Sequence, residues 1–194
     1  MSASRRETII CFAWNCCQEK RRLAAYELNK YLDLGFVPPV VERTINNYPG
    51  SLQIFVEDAF PETARKTQSI KLSDPKAFDQ AMADLRVFIN LFSDSCGDER
   101  DRDILIQRWT EKISAVGFSR AFAPNNETIP GCEILRCSRS FYGKLLNWDQ
   151  AKVKTLLDPY LNAEEMRALH ARVGSILWMI KKQIEMRGES AVLI

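Results

Sequence analysis

The fold of this chain depends most on the stretch Phe92-Ser-Asp-Ser-Cys-Gly-Asp-Glu-Arg-Asp-Arg-Asp-Ile-Leu-Ile106. Before it, apolar residues recur at helical spacing from Phe78 to Phe92, which predicts a helix with one buried face. After it, two short β-compatible runs at 104–107 and 113–116 flank a polar turn. The order predicts a core helix, an acid-rich loop and a hairpin.

The acid-rich loop allows two interpretations. Its carboxylates alternate with arginines, a pattern typical of a solvated loop with local ion pairs of ~0–1 kcal/mol each. The alternative is a catalytic or metal site, which requires Asp98 and Asp103 to converge on a concave pocket. We expect Arg120 to pair with these carboxylates and hold the loop in shape. Arg120→Ala should then lower the melting temperature more than substitution of Arg172, which we interpret as a distal surface residue.

Composition excludes some classes of protein. The chain has 194 residues and a net charge of +2, with acidic and basic residues mixed, so we expect no nucleic-acid partner. We also expect no membrane span, since apolar runs are short, and no export signal. These features predict a cytoplasmic protein whose six cysteines are reduced thiols. Cys132 and Cys137 are five apart and Cys16 adjoins Cys17, spacings that do not match a structural zinc site.

The remaining sequence predicts an α+β organisation. A helical pattern from Glu19 to Leu34 ends before Gly35, and strand-like runs at 40–45 and 51–56 flank a turn rich in Asn, Pro and Gly. Residues 58–73 are predicted as a surface linker. The C-terminal third is predicted to be helical, and the helix starts are indicated by four capping residues or pairs: Asp74 with Pro75, Ser138, Asp149, and Asn162 with Glu165.

Seven short segments, in this order, resemble a group of bacterial proteins related to the phosphoinositide-3/4-kinase-like superfamily. They span residues 20–194 and are individually weak, so the resemblance rests on their order: Ala24-Ala25-Tyr26-Glu27-Leu28, Val37-Pro38-Pro39, Gly50-Ser51-Leu52-Gln53, Val56-Glu57, Arg86-Val87-Phe88, Ser119-Arg120-Ala121-Phe122 and Arg187-Gly188-Glu189-Ser190-Ala191-Val192-Leu193.

The resemblance implies roles for individual residues. Asp98 corresponds to the catalytic base, and Asp103 stands where such kinases have a metal-binding Asn. Gly117 stands where they have the second metal-binding Asp, and Arg22 where they have the glutamate that pairs with the ATP lysine. No glycine-rich G-x-G-x-x-G loop occurs, and only about twenty residues precede Arg22, which indicates an N-terminally truncated member.

We therefore predict a protein-kinase-like α+β fold with small antiparallel hairpins and a mainly helical C-terminal lobe. Residues 1–57 would be the remnant of the N-lobe, 58–73 a linker and 74–194 the helical region, together forming one compact unit. The predicted function is that of a catalytically inactive binding or scaffold module without a cofactor, which recognises an unidentified protein and is capable of self-association. The alternative is an ATP- and Mg²⁺-dependent phosphotransferase using Asp98 as base and Asp103 as metal ligand.

Overall fold

The computed structural model describes residues 9–12, 16–45 and 47–194. Helices dominate its second half, and two small antiparallel sheets lie in the first 115 residues. In chain order the strands and helices are β1 (Ile9–Phe12), α1 (Cys16–Tyr31), β2 (Val40–Ile45), β3 (Tyr48–Ile54), β4 (Ala59–Pro61), α2 (Glu62–Thr67), α3 (Pro75–Phe92), α4 (Asp98–Asp101), β5 (Ile104–Gln107), β6 (Ile113–Ala115), α5 (Arg139–Leu146), α6 (Gln150–Leu157), α7 (Ala163–Arg187) and α8 (Glu189–Val192).

The first sheet has the strand order β1-β3-β2, and both pairings are antiparallel. The predicted hairpin is present as β2 and β3, with Asn47 at positive φ in the turn, a conformation that asparagine tolerates well. Strand β1 was not predicted. It pairs with β3 in the register Ile9↔Ile54 to Phe12↔Ser51. Helix α1 packs against this sheet and buries Leu23, Ala24 and Leu28.

The second sheet has the order β4-β5-β6. The β5–β6 hairpin was predicted, but its partner β4 lies inside 58–73, the predicted linker. This segment forms β4 and α2, and both Phe60 and Glu62 are buried, so its description as a surface linker is wrong. Strand β4 has only three residues, of which the middle one is buried. An alternating pattern of this length is too short to recognise in the sequence. The division of the chain into lobes at these boundaries stays a prediction.

Helix α3 is the central core element. Asp74 caps it by accepting a hydrogen bond from the Ala77 amide at 2.9 Å, and Pro75 occupies its first turn, as predicted. Its C-terminal half is buried, and Phe92 makes edge-on contacts with Phe118 and Phe122 at centroid distances of 5.1 and 4.9 Å. These aromatic contacts fix the segment after β6 against the helix, which positions Gly117.

The C-terminal helices begin at the predicted caps. Ser138 and Asp149 each accept a hydrogen bond from a first-turn amide, and Asn162 with Glu165 forms a capping box. The long helix α7 ends at Arg187, next to Gly188, as predicted. Among the residues that the structure describes, no helix combines the length and apolar character needed to cross a bilayer.

Two predictions about side chains are wrong. Cys96 and Cys132 form a disulfide bond across 36 residues of sequence, so these two cysteines are not reduced thiols. Cys137 is a free, buried thiol, and the side chains of Cys11, Cys16 and Cys17 lie outside the described part of the chain. The bond weakens the argument for a reducing compartment, and the cytoplasmic location stays a prediction.

Arg172 is likewise not a surface residue. Its side chain is completely buried in α7 and donates hydrogen bonds to the carbonyl oxygens of Leu91, Ala123 and Asn125. Burial lowers the pKa of this guanidinium. Its Nη2 is buried without a hydrogen-bond partner among the described residues. Arginine is rarely buried without partners, and sequence alone cannot show which carbonyl groups converge on one side chain.

Candidate functional site

A cavity of about 320 Å³ lies between the first sheet and the β5–β6 hairpin. We call it the cleft. Its apolar walls come from the end of β3, the residues that follow it, and the hairpin, while its polar groups come from Arg22, Ser51, Gln53 and Asp103. Gly117 completes the lining. An apolar cavity with a few converging polar groups is the usual form of a ligand site.

Asp103 and Gly117 are brought together in this cleft, as their implied roles require. The amide of Val116 donates to the Asp103 carbonyl at 2.9 Å, which holds the two segments side by side. A Cβ atom placed on Gly117 would contact Asp103 Oδ2 and lie only 2.7 Å from its Cγ. Gly117 also has a φ of +79°, a conformation that favours glycine. The Asp103 carboxylate therefore occupies the space that a side chain at position 117 would need.

The Asp103 carboxylate is partly buried, with 38% of its side chain exposed. Burial raises its pKa above the ordinary value, and the nearby Arg100 guanidinium, with Nη1 at 3.9 Å from Oδ2, acts in the opposite direction. Because Arg100 lies so close, part of the charge of Asp103 is already neutralised by the protein. A cation arriving in the cleft competes with this guanidinium for the carboxylate.

Asp98 is placed differently. It is the first residue of the short helix α4, its side chain is exposed, and it is not among the residues that line the cleft. The convergence of Asp98 and Asp103 on one concave pocket, which a phosphotransferase requires, is therefore not seen in this arrangement. The role of Asp98 as base stays a prediction.

Arg120 pairs with one of the carboxylates of the acid-rich loop. Its Nη2 lies 2.5 Å from Glu99 Oε1, and this hydrogen bond raises the pKa of the guanidinium. Both side chains are more than half exposed, so we expect a contribution to stability of only ~0–1 kcal/mol. The proposal that Arg120 holds the loop in shape stays a prediction.

Helix α1 contributes a reversed charge to the cleft. Arg22, at the position implied for a glutamate, lines the cleft directly. One turn earlier, Glu19 is buried against β3, with Oε2 3.2 Å from a Cβ position on Gly50. Burial raises the pKa of Glu19, and the charge of Arg22 lowers it. Sequence reasoning missed Glu19, although its i, i+3 spacing from Arg22 places both on one helix face.

The strand that precedes α1 carries no cation. Strand β1 consists of Ile, Ile, Cys and Phe, and it is hydrogen-bonded to β3, whose Ser51 and Gln53 line the cleft. Nor does any group of three or more His, Cys, Asp or Glu side chains among the described residues lie close enough to hold a metal ion. His170, the single histidine, accepts a hydrogen bond from the Trp148 indole at 3.1 Å.

Two solved structures of kinase-like fold resemble this chain over nearly its whole length. The solved structure of a hydra Fam20 with sugar is similar to this chain, with a TM-score of 0.65 and 13% sequence identity. The aligned region covers 99% of this chain and 79% of the Fam20 chain. The Helicobacter pylori proinflammatory kinase CtkA matches 94% of this chain and 93% of its own, with a TM-score of 0.61 and 11% identity. No protein-family model and no curated protein matches the sequence. The predicted α+β, protein-kinase-like fold is thus confirmed.

The contact between Gly117 and Asp103 makes Gly117→Asp a sharp test of the site geometry. We expect this change to lower the free energy of unfolding by about 2–3 kcal/mol, since it strains the backbone at positive φ and forces a second carboxylate against the first. Equilibrium urea unfolding measures it.

Gly35→Asp is the matched control. Gly35 has a similar φ of +72° but no atom within 4 Å of its Cβ position, so this variant reports backbone strain alone. When Asp103 is first replaced by alanine, the further change Gly117→Asp should lower the free energy of unfolding by no more than Gly35→Asp does. Equal losses for Gly117→Asp and Gly35→Asp would show that Asp103 does not fill the site.

Proposed function

We propose that this chain is a degenerate member of the bacterial phosphoinositide-3/4-kinase-like group, catalytically inactive as a kinase, that acts as a binding or scaffold module for a protein partner. The observation that carries the proposal is the pairing of Gly117 with Asp103. Gly117, at the position expected for one metal ligand, has no side chain, and the carboxylate of Asp103, at the position expected for the other, fills the space that a side chain at 117 would need.

Loss of the second ligand has a large effect on phosphoryl transfer. The metal ions of kinases bridge phosphate oxygens and neutralise the charge that develops on them, a contribution of several kcal/mol. A single carboxylate that shares its charge with Arg100 provides less than the usual pair. The site fits Mg²⁺ poorly, and ATP without bound metal is a weak phosphoryl donor.

The opposite wall of the cleft supports the same conclusion. In active kinases, a lysine on the strand before the first helix contacts the ATP phosphates and pairs with a glutamate of that helix. The sequence resemblance puts Arg22, which lines the cleft, at the glutamate position, and β1 has only apolar residues and a cysteine. An arginine on the helix cannot pair with a lysine, so this part of the phosphate site is also rebuilt.

A second candidate is an ATP-dependent phosphotransferase with Asp98 as base and Asp103 as metal ligand. One observation favours it: Asp103 lines the cleft, and its oxygen atoms suit a hard cation. The likeness to a protein described as a kinase is consistent with it. The exposed position of Asp98 outside the cleft lining favours the binding module instead.

A phosphotransfer assay tests the proposal. The protein is incubated with γ-labelled ATP and Mg²⁺ or Mn²⁺, alone and with generic protein and lipid acceptors. We expect wild type, Asp98→Asn and Asp103→Asn to give the same background label. Label above background in wild type that is lost in both variants would favour the phosphotransferase.

The partner is proposed only by class. Mixed surface charge gives no footprint for nucleic acid, and exposed apolar side chains such as Trp109, Trp178 and Met186 suit protein contacts. Self-association of the purified chain is the simplest form of such contact. Light scattering across a concentration series measures it.

A further inference from the structure

A second cavity, of about 290 Å³, lies next to the disulfide bond. We call it the disulfide cavity. Its walls come from α2, α3, α4 and the segments that carry Cys96 and Cys132. Asp103 and Gly117, which line the cleft, do not line this cavity. The proposed binding or scaffold function is argued from residues of the cleft and not from those of this cavity.

Arg100 of α4 lines this cavity and is almost completely buried, with 1% of its side chain exposed. Its Nη1 donates to Asp94 Oδ2 at 3.2 Å, and one face of the guanidinium stacks on Phe118 at 4.2 Å from the ring centroid. Its Nε and Nη2 are buried, and neither has a hydrogen-bond partner within the described part of the chain.

These two nitrogens form one edge of the guanidinium. Their N–H bonds point in nearly parallel directions, the geometry that binds both oxygens of a carboxylate or phosphate side-on. A buried cationic donor left without an acceptor is strongly unfavourable, because it has lost its water without replacement. Burial accordingly lowers the pKa of Arg100, even though Asp94 and Asp103 act in the opposite direction.

None of the other charged groups around the cavity accepts a hydrogen bond from this edge. The buried carboxylates of Glu62 and Asp101 are already paired, with Arg65 and Lys66 respectively. Arg86, on α3, lines the cavity, is exposed, and makes no ion pair among the residues that the structure describes. The remaining acids of the wall, Asp79 and Glu133, are both exposed, so solvent screens their repulsion of an anion.

We propose that the disulfide cavity binds a small ligand through a carboxylate or phosphate group, held side-on by Nε and Nη2 of Arg100. Both nitrogens are closed to solvent in this structure, so binding requires the Arg100 side chain to turn toward the cavity. Arg86 adds electrostatic attraction at the entrance. The residues that line this cavity differ from those that line the cleft, but Arg100 also lies 3.9 Å from Asp103 Oδ2, so the two sites share one electrostatic contact.

Binding is measured with inorganic phosphate and, separately, with succinate, each titrated against sodium chloride at equal ionic strength. The readouts are the melting temperature and the side-chain Nε–H resonance of Arg100 in a ¹⁵N-correlated NMR spectrum, assigned by its loss in Arg100→Lys. We expect one or both oxyanions to raise the melting temperature and shift this resonance with the same dissociation constant.

Two variants locate the site. Arg100→Lys keeps a positive charge beside Asp94 but removes the two-nitrogen edge, and should weaken binding by roughly ten- to a hundredfold. Arg86→Ala, which leaves the buried ion pairs intact, should weaken it by about two- to fivefold. Arg167→Ala is the control, since Arg167 is also an exposed helical arginine but does not line the cavity.

If neither oxyanion exceeds the effect of chloride, water fills the cavity and the proposal is wrong. If the oxyanions bind but Arg86→Ala behaves like Arg167→Ala and the Arg100 resonance does not move, the anion binds elsewhere. Should Arg100→Lys fail to fold, the Arg86→Ala comparison still decides between these outcomes.

Discussion

Arg172→Ala is expected to lower the free energy of unfolding by about 3 kcal/mol or more, the largest effect of any single arginine that we consider. For a chain of this size the melting temperature should fall by roughly 6–12 °C. The reason is the number of carbonyl groups that depend on this side chain. Without it, the carbonyl oxygens of Leu91, Ala123 and Asn125 lose a charged donor, and the Leu91 oxygen, whose hydrogen bond is buried, is left without a partner.

The position of Leu91 increases this effect. The last carbonyl groups of a helix have no donor within the helix, and at the end of α3 three of them accept a hydrogen bond from another group. The oxygen of Asn90 accepts from Ser93, that of Leu91 from Arg172 Nε at 2.8 Å, and that of Phe92 from Phe122. A cation at a helix C-terminus is also favoured by the helix dipole. Arg172 therefore joins α7, the end of α3 and the segment that follows Phe122.

Two exposed arginines serve as controls for this prediction. Arg167→Ala, on the same helix, and Arg120→Ala, which breaks only the exposed pair with Glu99, should each change stability by less than about 1 kcal/mol. Chemical unfolding of the three variants gives the comparison. Equal losses for Arg172→Ala and Arg120→Ala would contradict the burial of Arg172.

Opening the Cys96–Cys132 disulfide is expected to cost about 4 kcal/mol, the loop entropy that a cross-link over 36 residues removes from the unfolded chain. The bond joins the acid-rich loop to the segment that follows Phe122. Urea unfolding with and without dithiothreitol measures it, and thiol titration under denaturing conditions counts the free cysteines.

The matched variant is Cys96→Ser combined with Cys132→Ala. It should be as unstable as the reduced wild type and should not respond to dithiothreitol, while the buried thiol of Cys137 stays free in every form. A wild-type chain whose stability is unchanged by the reductant, or whose thiol count includes both residues, would rule out the bond.

Local signals predicted most of the regular structure. Asp74 with Pro75, Ser138, Asp149, and Asn162 with Glu165 all start helices, because a cap is decided by residues within one turn of it. The β2–β3 and β5–β6 hairpins likewise follow from β-rich runs around short turns. Strands β1 and β4 were not predicted because each is short and is stabilised by pairing with a strand that is distant in sequence.

The site was predicted less completely. Gly117 and Asp103 were placed in corresponding roles by resemblance, and the structure brings them together in the cleft. The sequence could not show that the Asp103 carboxylate occupies the space of a side chain at position 117. Nor could it show that Arg100 lies between Asp94 and Asp103. The burial of Arg172 and the Cys96–Cys132 bond were missed for the same reason. Each depends on segments that meet only in the folded chain.

The central claim is that the cleft has lost metal-dependent nucleotide binding, and a thermal-shift titration with ATP tests it most directly. A ligand that binds only the native state stabilises it by about 2.7 kcal/mol at a hundredfold excess over its dissociation constant. We predict that Mg²⁺ or Mn²⁺ makes no difference to the melting temperature in ATP, for wild type and Asp103→Ala alike. A metal-dependent rise that Asp103→Ala abolishes would contradict the account and restore the phosphotransferase.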